Sequence, residues 1–175
     1  MKKLGFAIKG TAFCLMFCLL FAACAPVDSG LSESFDEKDL GIEIQGEIYR
    51  LREDAASLIA ALGDDFNYSE VVSCVYDGQD KTYEYDGITV STVPVDGKDI
   101  IEMITITGDN YSTLRGAKIG DSLDSVKALY GDGWFDDGYL TYSVSGDQND
   151  IHSERIQFEY SSDTVTCIYI YSPSY

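Results

Sequence analysis

Two periods of apolar residues alternate along the chain. Ile48, Leu51, Ala55, Leu58, Ile59 and Leu62 recur at helical spacing and stop at Gly63, as expected of an amphipathic helix ended by a residue free to enter the left-handed region. The period then falls to two. Val71–Tyr76, Thr82–Tyr85, Ile88–Val95 and Ile100–Thr107 read as strands separated by Asp77-Gly78, Asp86-Gly87 and Asp96-Gly97, and Asp-Gly is a strong hairpin signal because a type I′ turn needs positive φ at both central residues. The sequence then repeats itself. Gly120-Asp121-Ser122 offers side-chain oxygens to cap a helix carrying Leu123, Val126 and Leu129 or Tyr130, and Gly131 ends it. Tyr139–Val144, Ser153–Tyr160 and Val165–Tyr171 follow as strands, with turns at Gly146–Asp150 and Ser161–Asp163.

A shift of 68 residues lays Glu47–Asp65 on Arg115–Gly133, with Gly63-Asp64 on Gly131-Asp132 and apolar positions coinciding. Helix, antiparallel meander, helix, antiparallel meander, with no crossover between parallel strands, predicts an α+β class. The expectation is two tandem repeats of a short helix followed by a β-meander, residues 47–110 and 111–175. Ile156, Phe158 and Tyr160 alternate with Gln157 and Glu159, which gives that strand one core face and one wet face.

The phrase Arg115-Gly116-Ala117-Lys118-Ile119-Gly120-Asp121-Ser122, followed by Val126 and Tyr130-Gly131-Asp132, resembles one found in small Firmicutes lipoproteins of unassigned role. More distantly, the tandem pattern over residues 47–175 is similar to the β-lactamase inhibitor protein and to the outer-membrane assembly lipoprotein BamE. Its motif consists of capping and turn residues, so the resemblance speaks to fold; toward function it implies protein binding by a sheet face and its loops.

The N-terminus sets the compartment. Lys2, Lys3 and Lys9 precede fourteen uncharged residues, Gly10–Ala23, and then Cys24. The run is shorter than the roughly 20 residues a membrane span needs and reads as a secretory signal over residues 1–23. Phe21-Ala22-Ala23-Cys24 resembles a lipobox, with Phe21 where Leu is usual, which implies a lipidated Cys24. An ordinary signal peptide cut near Ala23 is the alternative. Residues 24–46 read as a tether, polar and poor in large apolar side chains over 25–38. From residue 24 onward nine Lys and Arg face 30 Asp and Glu, a net charge of −21. Nucleic acid is excluded as a partner, because phosphate binding rests on clustered Lys and Arg. At 45% hydrophobic and 13% aromatic residues the chain is too apolar for a disordered acidic tail.

Candidate chemistry is thin. The one histidine, His152, lies in the polar loop Asp147–Glu154, and no Ser-His-Asp or paired-carboxylate constellation stands out among 30 acidic residues. Asp132-Gly133, Asp136-Asp137-Gly138 and Asp147–Asp150 gather hard oxygens without matching a calcium loop, so neither metal nor cofactor is expected. Cys74 and Cys167 are read as buried small hydrophobes, with a disulfide between them as the alternative. Binding falls to the aromatics. Trp134, Phe135 and Tyr139 sit in a Gly- and Asp-rich stretch, and Tyr83, Tyr85, Tyr142 and Tyr169 offer a stripe. The alternatives are that Trp134 and Phe135 plug the core and that the tyrosines are simply good strand formers. The expectation is therefore a non-enzymatic protein-binding lipoprotein, anchored through Cys24 on the outer side of a Gram-positive membrane and meeting an envelope protein. A small-molecule or glycan receptor, and a hydrolase, are the other classes.

Overall fold

The structure, a computed structural model, describes residues 34–173. The leader and Cys24 lie outside the described residues. The chain runs from a 3-10 turn at Glu37–Asp39 through β1 (Gly41–Ile44), β2 (Glu47–Arg50), α1 (Ala56–Leu62), β3 (Asn67–Val72), β4 (Gln79–Tyr85), β5 (Ile88–Val95) and β6 (Lys98–Ile106). It continues through α2 (Leu123–Tyr130), β7 (Trp134–Asp136), β8 (Tyr139–Ser143), β9 (Arg155–Ser161) and β10 (Thr164–Tyr171).

Both helices are short, and local chemistry sets their ends. Ser122 accepts a hydrogen bond from the Ser125 N–H at 3.2 Å and so caps α2. Gly131, at φ +80°, closes it by donating to the Lys127 carbonyl at 2.8 Å. At α1 the carboxylate of Asp54 takes the Ala56 N–H at 3.1 Å, and Gly63 ends the helix at φ +93°.

Eight strands form one antiparallel sheet in the order β3-β4-β5-β6-β10-β9-β8-β7. The two meanders meet at their last strands, where Ile106 pairs with Ile168 and Ile104 with Ile170. These four isoleucines are fully buried, each contributing roughly 1.5–3 kcal/mol by leaving water. Leu58 of α1, Leu123, Val126 and Tyr130 of α2, and Leu40 and Ile42 of the N-terminal segment join them in a single core with Ile88, Val90, Leu140, Ile156 and Phe158. Both helices and the β1–β2 hairpin therefore lie on one face of the sheet.

This overturns the α+β expectation of two tandem helix-meander repeats. The molecule is β-rich, a large eight-stranded sheet with helices of only seven and eight residues. The physical reason is the β6–β10 pairing. Once the last strands of the two meanders hydrogen-bond, neither half keeps a core of its own, and the helices become covers on a shared sheet.

Four local readings also change, the first being that the strand expected at Val71–Tyr76 lies instead at Asn67–Val72, with residues 73–78 forming the connection to β4. The first helix does not begin at Ile48, because Gln45-Gly46, both at positive φ (55° and 88°), make a two-residue turn that folds 47–50 back as β2 on β1. Residues 34–46, assigned by sequence to the tether, belong to the folded body, since Leu40 and Ile42 are buried and Arg115 holds Asp39. Trp134 and Phe135 stand on a strand rather than in a loop.

Candidate functional site

The register shows which side chains the sheet face opposite the helices carries. Directly paired residues share a face, so Trp134, Thr141, Gln157, Tyr169, Thr105, Thr89, Glu84 and Asn67 form one unbroken row across all eight strands. A flanking row runs Ser143, Arg155, Tyr171 and Met103, and another Asp136, Tyr139, Glu159 and Cys167. None of these residues belongs to the helix-covered core.

The aromatic end of this face is tied together by side-chain hydrogen bonds. Tyr169 Oη donates to Glu159 at 3.0 Å, Tyr171 Oη donates to Gln157 Oε1 at 3.1 Å, and Gln157 Nε2 donates to Thr141 Oγ1 at 3.1 Å. The rings of Tyr139 and Tyr169 meet edge to face with centroids 6.0 Å apart, and the Arg155 guanidinium lies 5.9 Å from the Tyr171 centroid. Thr141 and Cys167 are buried beneath these larger neighbours. The Tyr169 hydroxyl titrates above its ordinary value, held protonated by its bond with Cys167, by burial and by the Glu159 carboxylate. Burial likewise pushes the Cys167 thiol up. Tyr169 is thus a neutral donor fixed in place.

The sequence-selected aromatics are divided by the fold. Trp134 and Tyr139 lie on the open face, with Tyr169. Phe135, next to Trp134, points the other way, against Tyr160 (5.9 Å) and under the Lys127 ammonium of α2 (5.1 Å), because successive strand residues alternate sides. Tyr142 is a core residue, 4% exposed, packed on Tyr130 and Phe158 with its hydroxyl on the Gly131 carbonyl at 3.0 Å. Tyr83 and Tyr85 lie on the helix side at the far end of the sheet, stacked around Phe66, and Tyr85 Oη reaches the Ile59 carbonyl of α1. Five strand spacings, about 24 Å, separate β4 from β8, so the expected stripe of Tyr83, Tyr85, Tyr142 and Tyr169 is not one surface. Tyr171, Gln157 and Arg155 are the binding candidates the sequence reading missed. The alternation of Gln157 and Glu159 with Ile156 and Phe158 was the available signal.

A cleft of about 730 Å³ opens beside this face, lined by Val75, Met103, Ile151, His152, Arg155 and Tyr171. Its walls are mainly apolar, and Val75 and Ile151 are among the exposed large hydrophobic residues of the molecule. His152 sits at its rim, its backbone N–H donating to Asp150 at 3.1 Å. No group of three or more His, Cys, Asp or Glu that could hold a metal ion occurs among the described residues. Cys167 is buried as expected, but Cys74 is exposed, because it falls in the connection after β3 rather than in a strand, and both are free thiols, so the alternative of a disulfide is not realised. None of the described helices is long and apolar enough to cross a membrane.

Comparison of the chain with protein families, with curated proteins and with solved structures finds no match.

Proposed function

We propose that this protein is an extracytoplasmic lipoprotein, anchored through Cys24, that acts as a non-enzymatic binding module for another envelope protein. The observation that carries the reading is the open sheet face, where Trp134, Tyr139, Tyr169 and Tyr171 surround Gln157 and Arg155. Trp, Tyr and Arg are the side chains that dominate binding energies in protein interfaces. The hydrogen bonds of Tyr169 to Glu159 and of Tyr171 to Gln157 hold two of these rings in place and lower the ordering cost that binding would otherwise carry. The leader supports the location: the basic start, the short apolar run and Phe21-Ala22-Ala23-Cys24 form one continuous signal. An acidic body of −21 is repelled by anionic headgroups, which suits attachment by acyl chains rather than by a basic patch.

The test is site-specific photocrosslinking in intact cells. A photoreactive phenylalanine analogue at Tyr169 or Tyr171 should yield an adduct with one protein, while the same residue at Asp124, exposed on α2, should not. Adducts from Asp124 alone, or none from the open face in a stably expressed chain, would overturn the site. The anchor is tested separately by mass spectrometry, which should find a diacylglycerol on Cys24 that Cys24→Ala abolishes.

A small-molecule receptor is the second reading. The cleft beside Met103 and Tyr171 has a volume in the range of ligand pockets. It is a surface cleft rather than an enclosed cavity, so a small ligand there would keep much of its surface in water.

A further inference from the structure

The two edges of the sheet are finished differently. Edge strands expose main-chain donors and acceptors, and proteins blunt them by shortness, charge, proline or bulges. β7 is blunted: it has three residues and lies between Asp132 and Asp137. At the other edge β3 has six residues, all exposed, no proline, an unbroken register with β4 and a single charge, Glu70.

The ladder shows which groups of β3 are open. Ser73 N–H donates to the Gly78 carbonyl at 3.0 Å, in register with the pairs that precede it. Antiparallel pairs alternate between bonded and non-bonded, so Asn67, Ser69 and Val71 bond to β4, and the N–H and C=O groups of Tyr68, Glu70 and Val72 point outward. Those three side chains fall on the helix side of the sheet, since Tyr68 pairs with Tyr83 and Glu70 with Lys81. Lys81 is engaged by Asp99 at 2.8 Å, and Glu70 takes hydrogen bonds from two neutral donors, the Tyr68 hydroxyl and the Gln79 side-chain amide. Among the described residues no lysine or arginine forms an ion pair with Glu70.

We infer that β3 is a docking edge for an extended protein segment bearing Lys or Arg at alternate positions, which adds antiparallel as a ninth strand with a cation opposite Glu70. This is strand addition, in which main-chain bonds give affinity and alternate side chains give specificity. Charge selects the occupant. A two-fold pairing of two copies that uses all three outward residues sets Glu70 directly against Glu70, which is destabilising, and brings together two chains whose net charge from residue 24 onward is −21. A basic segment meets the opposite situation and is steered toward the acidic body. The edge is also remote from the chain's entry into the body: Phe35 packs on Tyr142 of β8, six strand spacings or about 29 Å from β3. The site is separate from the aromatic face and does not depend on it.

The probe is a synthetic peptide of about eight alternating lysine and threonine residues, a typical strand length, titrated into the ¹⁵N-labelled full chain. Binding should slow hydrogen exchange at the amides of Tyr68, Glu70 and Val72, leave Ser69 and Val71 unchanged, and weaken several-fold between low salt and about 0.5 M salt. A peptide with glutamate in place of lysine, or with two adjacent central prolines, should lose at least tenfold in affinity, as should the Glu70→Lys protein. Tyr169→Ala should leave binding intact, which separates this edge from the open face. Binding without protection of the three amides, or equal binding of the glutamate peptide, would overturn the proposal. Protection that needs no peptide and rises with protein concentration would instead make a second copy the occupant and overturn the choice of partner.

Discussion

Arg115 joins three parts of the molecule, and its removal is the sharpest test of the packing described above. Its Nε and Nη2 donate to the two carboxylate oxygens of Asp39 at 2.8 and 2.6 Å, Nη1 donates to the Leu129 carbonyl at the end of α2 at 3.1 Å, and Nη2 also donates to the Ser34 carbonyl at 3.0 Å. The guanidinium also lies 5.1 Å from the Tyr130 centroid. With Arg115 and Asp39 side chains 14% and 15% exposed, the pair is mostly out of water. Removing one partner of such a pair strands the other, at roughly 3–5 kcal/mol for full burial. The residual exposure places Arg115→Ala at about 3 kcal/mol. Asp39→Ala should cost about as much, since Asp39 also accepts the Asp36 N–H at 2.9 Å, and the double variant should cost ~2 kcal/mol less than the sum of the singles. Arg115→Lys should restore under half, because an ammonium cannot match the two-pronged contact. Urea unfolding would give the free energies, with m unchanged. Melting should fall by about 10 °C at roughly 3–4 °C per kcal/mol. Additive singles, or an Arg115→Ala cost below about 1 kcal/mol, would refute the claim that this pair clamps the N-terminal segment to α2.

Alkaline pH should destabilise the protein through its core tyrosines, Tyr142 among them. Burial pushes the Tyr142 hydroxyl up to about 12 from an unfolded value near 10, so its protonated form is favoured by folding. That stabilisation is complete below pH 10 and is lost as pH rises from about 10 through about 12; urea titrations across this window should show a smaller loss in Tyr142→Phe than in wild type. Maleimide should label Cys74 in the native protein and Cys167 only in denaturant, and equal labelling under native conditions would contradict the burial of β10. Gly133→Ala should destabilise by roughly 1–3 kcal/mol, because the new Cβ would lie 2.7 Å from the Thr141 carbonyl oxygen and 2.8 Å from the Tyr142 ring; a neutral change in urea midpoint would show that β7 is free to shift.

The sequence by itself determined many of the local elements, though the strand expected at Val71–Tyr76 lies at Asn67–Val72. Gly63 and Gly131 mark the helix ends, Ser122 marks a start, and the alternation of Ile156 and Phe158 with Gln157 and Glu159 separates a core face from an open one. The same logic failed for residues 47–50, where apolar spacing is compatible with both periods and the Gln45-Gly46 turn decided. What only the tertiary structure decided is which strands meet. The pairing of Ile106 with Ile168 has no signature within either segment, because it is set by the free energy of burying two distant faces together. That pairing fuses the meanders into one sheet, while strand alternation and the registers of β7, β8, β9 and β10 put Trp134 and Phe135 on opposite sides, Tyr142 in the core, and Tyr169 and Tyr171 beside Gln157 on the open face. Side-chain chemistry was legible in the sequence; the sharing of a surface by residues far apart in the chain was not, since register is a property of two strands and the sequence presents them one at a time.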